Sequence, residues 1–126
     1  MANKGYPLFN LARLTGTSTE NLSSGAVNVK AVLVDTGGGT PYTYSAAHEF
    51  LSDVPAGARV ATSGNVANKT VTVVNTDDVR FDCDDFDITV GAAQPTCEAL
   101  IFYIDTGVAG TSRLIKYTDT ATGLPY

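Results

Sequence analysis

Two stretches of this chain end in the same way. Ala31-Val32-Leu33-Val34 runs into Asp35-Thr36-Gly37, and Leu100-Ile101-Phe102-Tyr103-Ile104 runs into Asp105-Thr106-Gly107. A short, uninterrupted apolar run rich in β-branched and aromatic residues is the pattern of a strand buried on both faces. Asp-Thr-Gly is turn chemistry: the carboxylate accepts backbone N–H groups, and Gly completes the turn. A fold open to this chain must therefore bury two strands and let each leave the sheet in a tight turn. A looser third version, Asp119-Thr120-Ala121-Thr122-Gly123, follows the alternating segment Arg113 to Tyr117.

The remaining pattern is consistent with that constraint. From Ala26, Val27, Val29, Ala31 and Leu33 share one face while Asn28 and Lys30 take the other, so this strand starts half exposed and ends buried. Gly37-Gly38-Gly39-Thr40-Pro41 forces a loop, and Tyr42-Thr43-Tyr44 reads as a short strand. Ser45 reads as the N-cap of a helix of about two turns, with Ala47, Phe50, Leu51 and Val54 on one face and Pro55 at its end. Strands follow at Arg59 to Thr62 and at Asn68 to Asn75, the latter with Val71 and Val73 inward. Val79, Phe81 and Cys83 share one parity and Phe86, Ile88 and Val90 the other, which requires a bulge or turn at Asp84-Asp85. Cys97 to Asp105 is the central strand, and Thr111 to Thr118 alternates as an edge or surface strand does.

With 126 residues, the chain suits one domain that buries a core without metal or disulfide help. The expectation is an all-β fold: a single β-sandwich or barrel-like domain of about seven short strands, one short helix near residues 45–53, and an irregular N-terminal arm. The division is an extended arm over 1–25 and a β domain over 26–126. Tyr6, Leu8, Phe9, Leu11 and Leu14 make the arm too apolar for a free linker, so they are the candidate partner-binding residues, docking on their own domain or on a neighbouring subunit. A first irregular strand is the other reading. A turn at 91–96 sets Cys97 opposite about Val90 and Cys83 opposite about Ile104, beyond the roughly 7 Å Cα separation a disulfide tolerates.

Charge excludes some partners. The net charge is −5, and eight Lys and Arg are scattered singly, so no basic stripe neutralises phosphates and no nucleic acid is expected as a partner. No apolar run approaches the roughly 18 residues of a membrane span, and the N-terminus lacks the apolar stretch of a signal peptide. The expected site of synthesis is a cytosol.

Little chemistry converges. Asp35 and Asp105 have the neighbours of a pepsin-type dyad, in which two carboxylates share a proton. Such proteases follow each motif with a hydrophobic-hydrophobic-Gly segment; none follows Asp35, and Ile88-Thr89-Val90-Gly91 precedes Asp105. The turn reading is favoured over an aspartic protease. Asp77, Asp78, Asp82, Asp84, Asp85 and Asp87 are dense in oxygen, yet a calcium loop's glycine at the sixth place and glutamate at the twelfth are missing, so a solvated face or a contact for a basic partner is favoured. His48, the single histidine, cannot build a multi-histidine metal site and reads as a surface helix residue. No cofactor and no catalytic residue is assigned.

Three segments carry a resemblance: Val29 to Thr36, His48 to Val60, and Ser112 to Pro125 with its ending Asp-Thr-Ala-Thr-Gly-Leu-Pro. Together they resemble a family of small virion structural proteins of tailed bacteriophages, over roughly residues 27 to 125. In that family the last segment leads into a Gly-Gly turn and a closing strand, whereas this chain ends at Tyr126. The resemblance implies a virion protein of the capsid surface, made in the host cytoplasm, that decorates or cements the head. It implies no catalytic residue. The implied partner is the major capsid protein, and the implied state is a homo-oligomer, trimers being a natural fit to local three-fold positions. A tail, neck or host-surface-binding component is the alternative.

Overall fold

The computed structural model describes residues 4–15, 21–74 and 78–126. Its elements in chain order are β1 (Lys4–Gly5), α1 (Pro7–Leu14), β2 (Asn28–Val34), β3 (Arg59–Thr62), β4 (Thr70–Val74), β5 (Asp78–Asp82), β6 (Ala99–Asp105) and β7 (Leu114–Thr118). Single 3-10 turns lie at Leu51–Asp53, Ala56–Ala58 and Ala109–Thr111. The fold is mostly β, with seven short strands: a five-stranded antiparallel sheet in the order β1-β7-β6-β2-β3 and a two-stranded sheet of β4 and β5. The larger sheet is open, with β1 and β3 at its edges, so the barrel alternative does not apply.

β6 is central, as its composition requires. It pairs with β2 along its whole length, from Asn28 opposite Asp105 to Val34 opposite Ala99, and with β7 on the other side. This register places Val29, Ala31, Leu33, Leu100, Phe102 and Ile104 on one face, with Val32, Val34, Ala99, Ile101 and Tyr103 on the other. Tyr42 covers the second face, its ring 6.3 Å from that of Tyr117 in β7. The first face is covered by the segment after β5, where Phe86 meets Phe102 edge-on at 5.9 Å. Phe81, Cys83, Phe86, Ile88 and Val90 are each half-buried between exposed neighbours, so the parity does change at Asp84-Asp85.

Several expectations are corrected. Residues 83–90 form no hairpin with β6, because β2 and β7 already occupy both of its edges. Cys83 and Cys97 are free thiols, in agreement with the reading that they do not pair, although the hairpin it was argued from does not form. β7 is not an edge strand: β1 covers its outer side, with Lys4 opposite Tyr117 and Gly5 opposite Lys116. Tyr42-Thr43-Tyr44 is irregular, and its tyrosines pack as side chains instead, Tyr44 lying 5.2 Å from Tyr6 and 5.6 Å from Tyr117.

The helix expected near 45–53 is cut down to the 3-10 turn Leu51–Asp53. Ser45 does cap a turn, its hydroxyl accepting from the Ala47 N–H at 3.2 Å and its carbonyl from His48 at 3.1 Å. The backbone beyond it is captured from outside. Leu114 N–H donates to Glu49 O at 2.9 Å, Leu51 N–H donates to Ser112 O at 2.8 Å, and Phe50 bridges to Arg113. These bonds take the groups a helix would need, so Phe50 is extended, and Leu51 and Val54 are buried while Ala47 is exposed.

The N-terminal segment is likewise not an extended arm. Pro7, whose fixed φ suits a helix start, opens α1, and Thr15 closes it by donating through N–H and hydroxyl to Leu11 O at 3.0 and 2.9 Å. Tyr6 and Phe9 are core residues at 0% and 5% exposure, so the segment docks on its own domain. Eight helical residues are too short a run for a sustained period to stand out in the sequence.

Phe9→Ala is expected to cost about 3–5 kcal/mol, and Leu14→Ala to stay within about 0.5 kcal/mol. Urea unfolding of the two variants checks this; equal effects would contradict the burial described.

Candidate interaction surface

The twin Asp-Thr-Gly phrases are turns at opposite ends of one ladder. Asp35 is buried, and its Oδ1 accepts from Gly37 N–H at 2.9 Å and Gly38 N–H at 2.7 Å. Asp105 Oδ1 accepts from Gly107 N–H at 3.0 Å, and its Oδ2 pairs with Lys30 Nζ at 2.9 Å. Asp35 follows Val34, which stands opposite Ala99, so the length of β6 separates the two carboxylates: roughly 20 Å at about 3.3 Å per residue. They cannot share a proton within one chain.

Other sequence candidates resolve into local bonds. Asp82 Oδ1 accepts from the Cys83 N–H at 2.9 Å, and Asp84 Oδ2 accepts from Asn68 Nδ2 at 2.6 Å. Asp77 lies outside the described residues. Among the described residues no group of three or more acidic, His or Cys side chains is placed to hold a metal ion. No helix is long and apolar enough to cross a membrane, again among the described residues. Burial, and then the Asp82, Asp84 and Asp85 charges, push the Cys83 thiol up; burial chiefly does the same for Cys97, so neither has the character of an activated thiolate.

His48 is neither helical nor a plain surface residue. Its Nδ1 lies 2.9 Å from the Tyr42 hydroxyl, which is 2.8 Å from that of Tyr6. Burial drives the Tyr6 phenol well above its ordinary range and pushes Tyr42 up to about 12, so both stay protonated and can bond as hydroxyls. This chain, buried at Tyr6 and Tyr42 and supported by Tyr44 donating to Gly5 O at 2.6 Å, fixes the N-terminal segment to the sheet.

Fixing that segment orients α1. Of the five candidate contact residues, Tyr6 and Phe9 are consumed by the core and Leu8 is half-buried. Leu11 and Leu14 point away from Phe9 by helical geometry and are 57% and 79% exposed. Beside the helix lies an open groove of about 740 Å³, walled by Phe9, Leu22, Val71, Val79, Phe81 and Ile115. Val71 and Val73 are not buried in a core, as expected from alternation, but are 41% and 69% exposed; on their side of the hairpin Phe81 is the residue packed against the core. Alternation reveals which residues share a face and is silent on what covers it. The valines of this groove were missed for that reason.

Two predictions concern the turns. A Cβ at Gly38 would be driven into the Asp35 carboxylate, whereas one at Gly39 meets nothing, so Gly38→Ala is expected to lower the melting temperature by several degrees and Gly39→Ala to leave it nearly unchanged. The Lys30 ammonium holds the Asp105 carboxyl below its ordinary value, so the pair's contribution is present above the unfolded carboxyl value of about 3.9 and is lost as pH falls through the folded one. Melting temperatures recorded from pH 6 to pH 2 should fall less steeply for Asp105→Asn than for the native chain. Compared with protein-family models, curated proteins and solved structures, the chain matches none.

Proposed function

We propose that this chain is a structural virion protein of a tailed phage that binds the outside of the head as a decoration or cement protein, and that the outer side of α1 is its grip on the major capsid protein. The observation that carries this reading is the pair Leu11 and Leu14, two large apolar side chains left exposed on a helix that Tyr6 and Phe9 hold rigidly. An apolar ridge already ordered before contact costs little further conformational entropy on binding. The family resemblance supports the same reading from the scaffold. Its three segments fall on β2 and its turn, on the residues leading into β3, and on β7 with the turn after it.

The physics of cementing suits such a contact. Burying two leucines contributes about 1.5–3 kcal/mol each, and repetition over many equivalent sites lets modest contacts resist the pressure of packaged DNA. Deleting the whole segment would remove Tyr6 and Phe9 from the core, so point variants are the informative ones. Leu11→Asp with Leu14→Asp is expected to reduce occupancy on isolated capsid shells at least tenfold while leaving the melting temperature within a few degrees. Undiminished occupancy in a sedimentation assay would remove α1 from the interface, and binding to purified tails rather than shells would remove the decoration role.

A further inference from the structure

Two buried carboxylate oxygens lack a partner at one place in the fold. Among the described residues, the buried side-chain atoms without a hydrogen bond are Arg59 Nε, Glu98 Oε2 and Asp119 Oδ1, and the two acids line a single open pocket of about 490 Å³. Leu100 stands opposite Thr118, so Glu98 and Asp119 flank the same end of the β6–β7 ladder. Burial first, and then the Asp119 and Glu98 charges, raise the Tyr117 phenol, as suits two carboxylates beside that residue. A partly buried charge that its own fold leaves unpaired is costly. No Lys, Arg or His lines the pocket, and neither carboxylate has an ion pair among the described residues. The compensating charge is left to another molecule.

The rest of the lining selects the kind of cation. Two carboxylates are too few for a metal centre, and no third acidic, His or Cys side chain among the described residues completes one. Tyr42 and Tyr117, 2% and 3% exposed, give the pocket a dry floor, beside which a charge pair is stronger than in open water. Tyr44 is half-buried on its wall, and its ring already attracts an ammonium, with Lys4 Nζ 4.9 Å from the centroid. Carboxylates next to an aromatic ring suit a guanidinium better than an ammonium: it is planar and weakly hydrated, bonds carboxylates through a fork of N–H donors, and stacks on rings. We propose that this pocket binds an arginine side chain presented by another protein. None of its residues belongs to α1, so its fate is separate from that of the head-binding reading.

Titrating the isotope-labelled full chain with N-acetylarginine amide, read by amide chemical shifts, tests this. Shifts should concentrate at Thr36, Thr43, Glu98 and Asp119 and saturate with a roughly millimolar dissociation constant, as suits one side chain. N-acetylcitrulline amide, which keeps the shape and loses the charge, should bind at least about tenfold more weakly, as should the arginine probe on Glu98→Gln with Asp119→Asn. Asp87→Asn removes an exposed charge outside the pocket and should leave binding unchanged, which separates the pocket from the chain's net negative charge. The spectrum of each variant reports its fold directly; should the double variant not fold, the two single variants carry the comparison. No saturating shifts at about 50 mM probe, well above a millimolar constant, overturn the proposal. So do shifts scattered over other acidic residues, an equal response to the citrulline probe, or undiminished binding by the carboxylate variants. An equal response to N-acetyllysine amide overturns the choice of guanidinium.

Discussion

The antiparallel ladder between β2 and β6 sets the positions of nearly everything else. It runs the full seven residues of each strand, and its side chains are buried on both faces at Val32, Val34, Ala31 and Ile101. A strand pair so enclosed needs two covering layers. One comes from the tyrosine-bearing loop and the residues leading into β3, and the other from the segment after β5 that contains Phe86. The same ladder sends its two Asp-Thr-Gly turns to opposite ends of the sheet, which turns a motif resembling an active site into a pair of strand terminators.

Strands and their burial were legible because burial imposes its own period. The half-exposed start and enclosed end of β2, the central place of β6 and the parity change at Asp84-Asp85 all follow from which neighbours are apolar. The failures share a cause too: they arose where a distant group decided a local choice. Ser45 starts a turn that ought to propagate, but Ser112 and Leu114, more than sixty positions along the sequence, take up the backbone of Glu49 and Leu51. The N-terminal helix is stabilised by what Tyr6 and Phe9 meet across the fold, and Tyr6 finds its hydroxyl partner in Tyr42. Propensity within eight residues contains none of that information.

The Tyr6–Tyr42–His48 hydrogen-bond chain also explains how a short helix can be ordered. An isolated eight-residue helix is unstable in water, so its order must come from outside it. Tyr6 immediately precedes α1 and is fully buried, and Phe9 enters the core one turn later. These two anchors fix both the position and the rotation of the helix, and rotation decides that Leu11 and Leu14 face outward. Lys69 does comparable work at the base of the hairpin, its ammonium donating to the Ser24 carbonyl at 2.9 Å and to that of Val27. Both exposed apolar surfaces are thus tied to the sheet by buried or half-buried polar contacts.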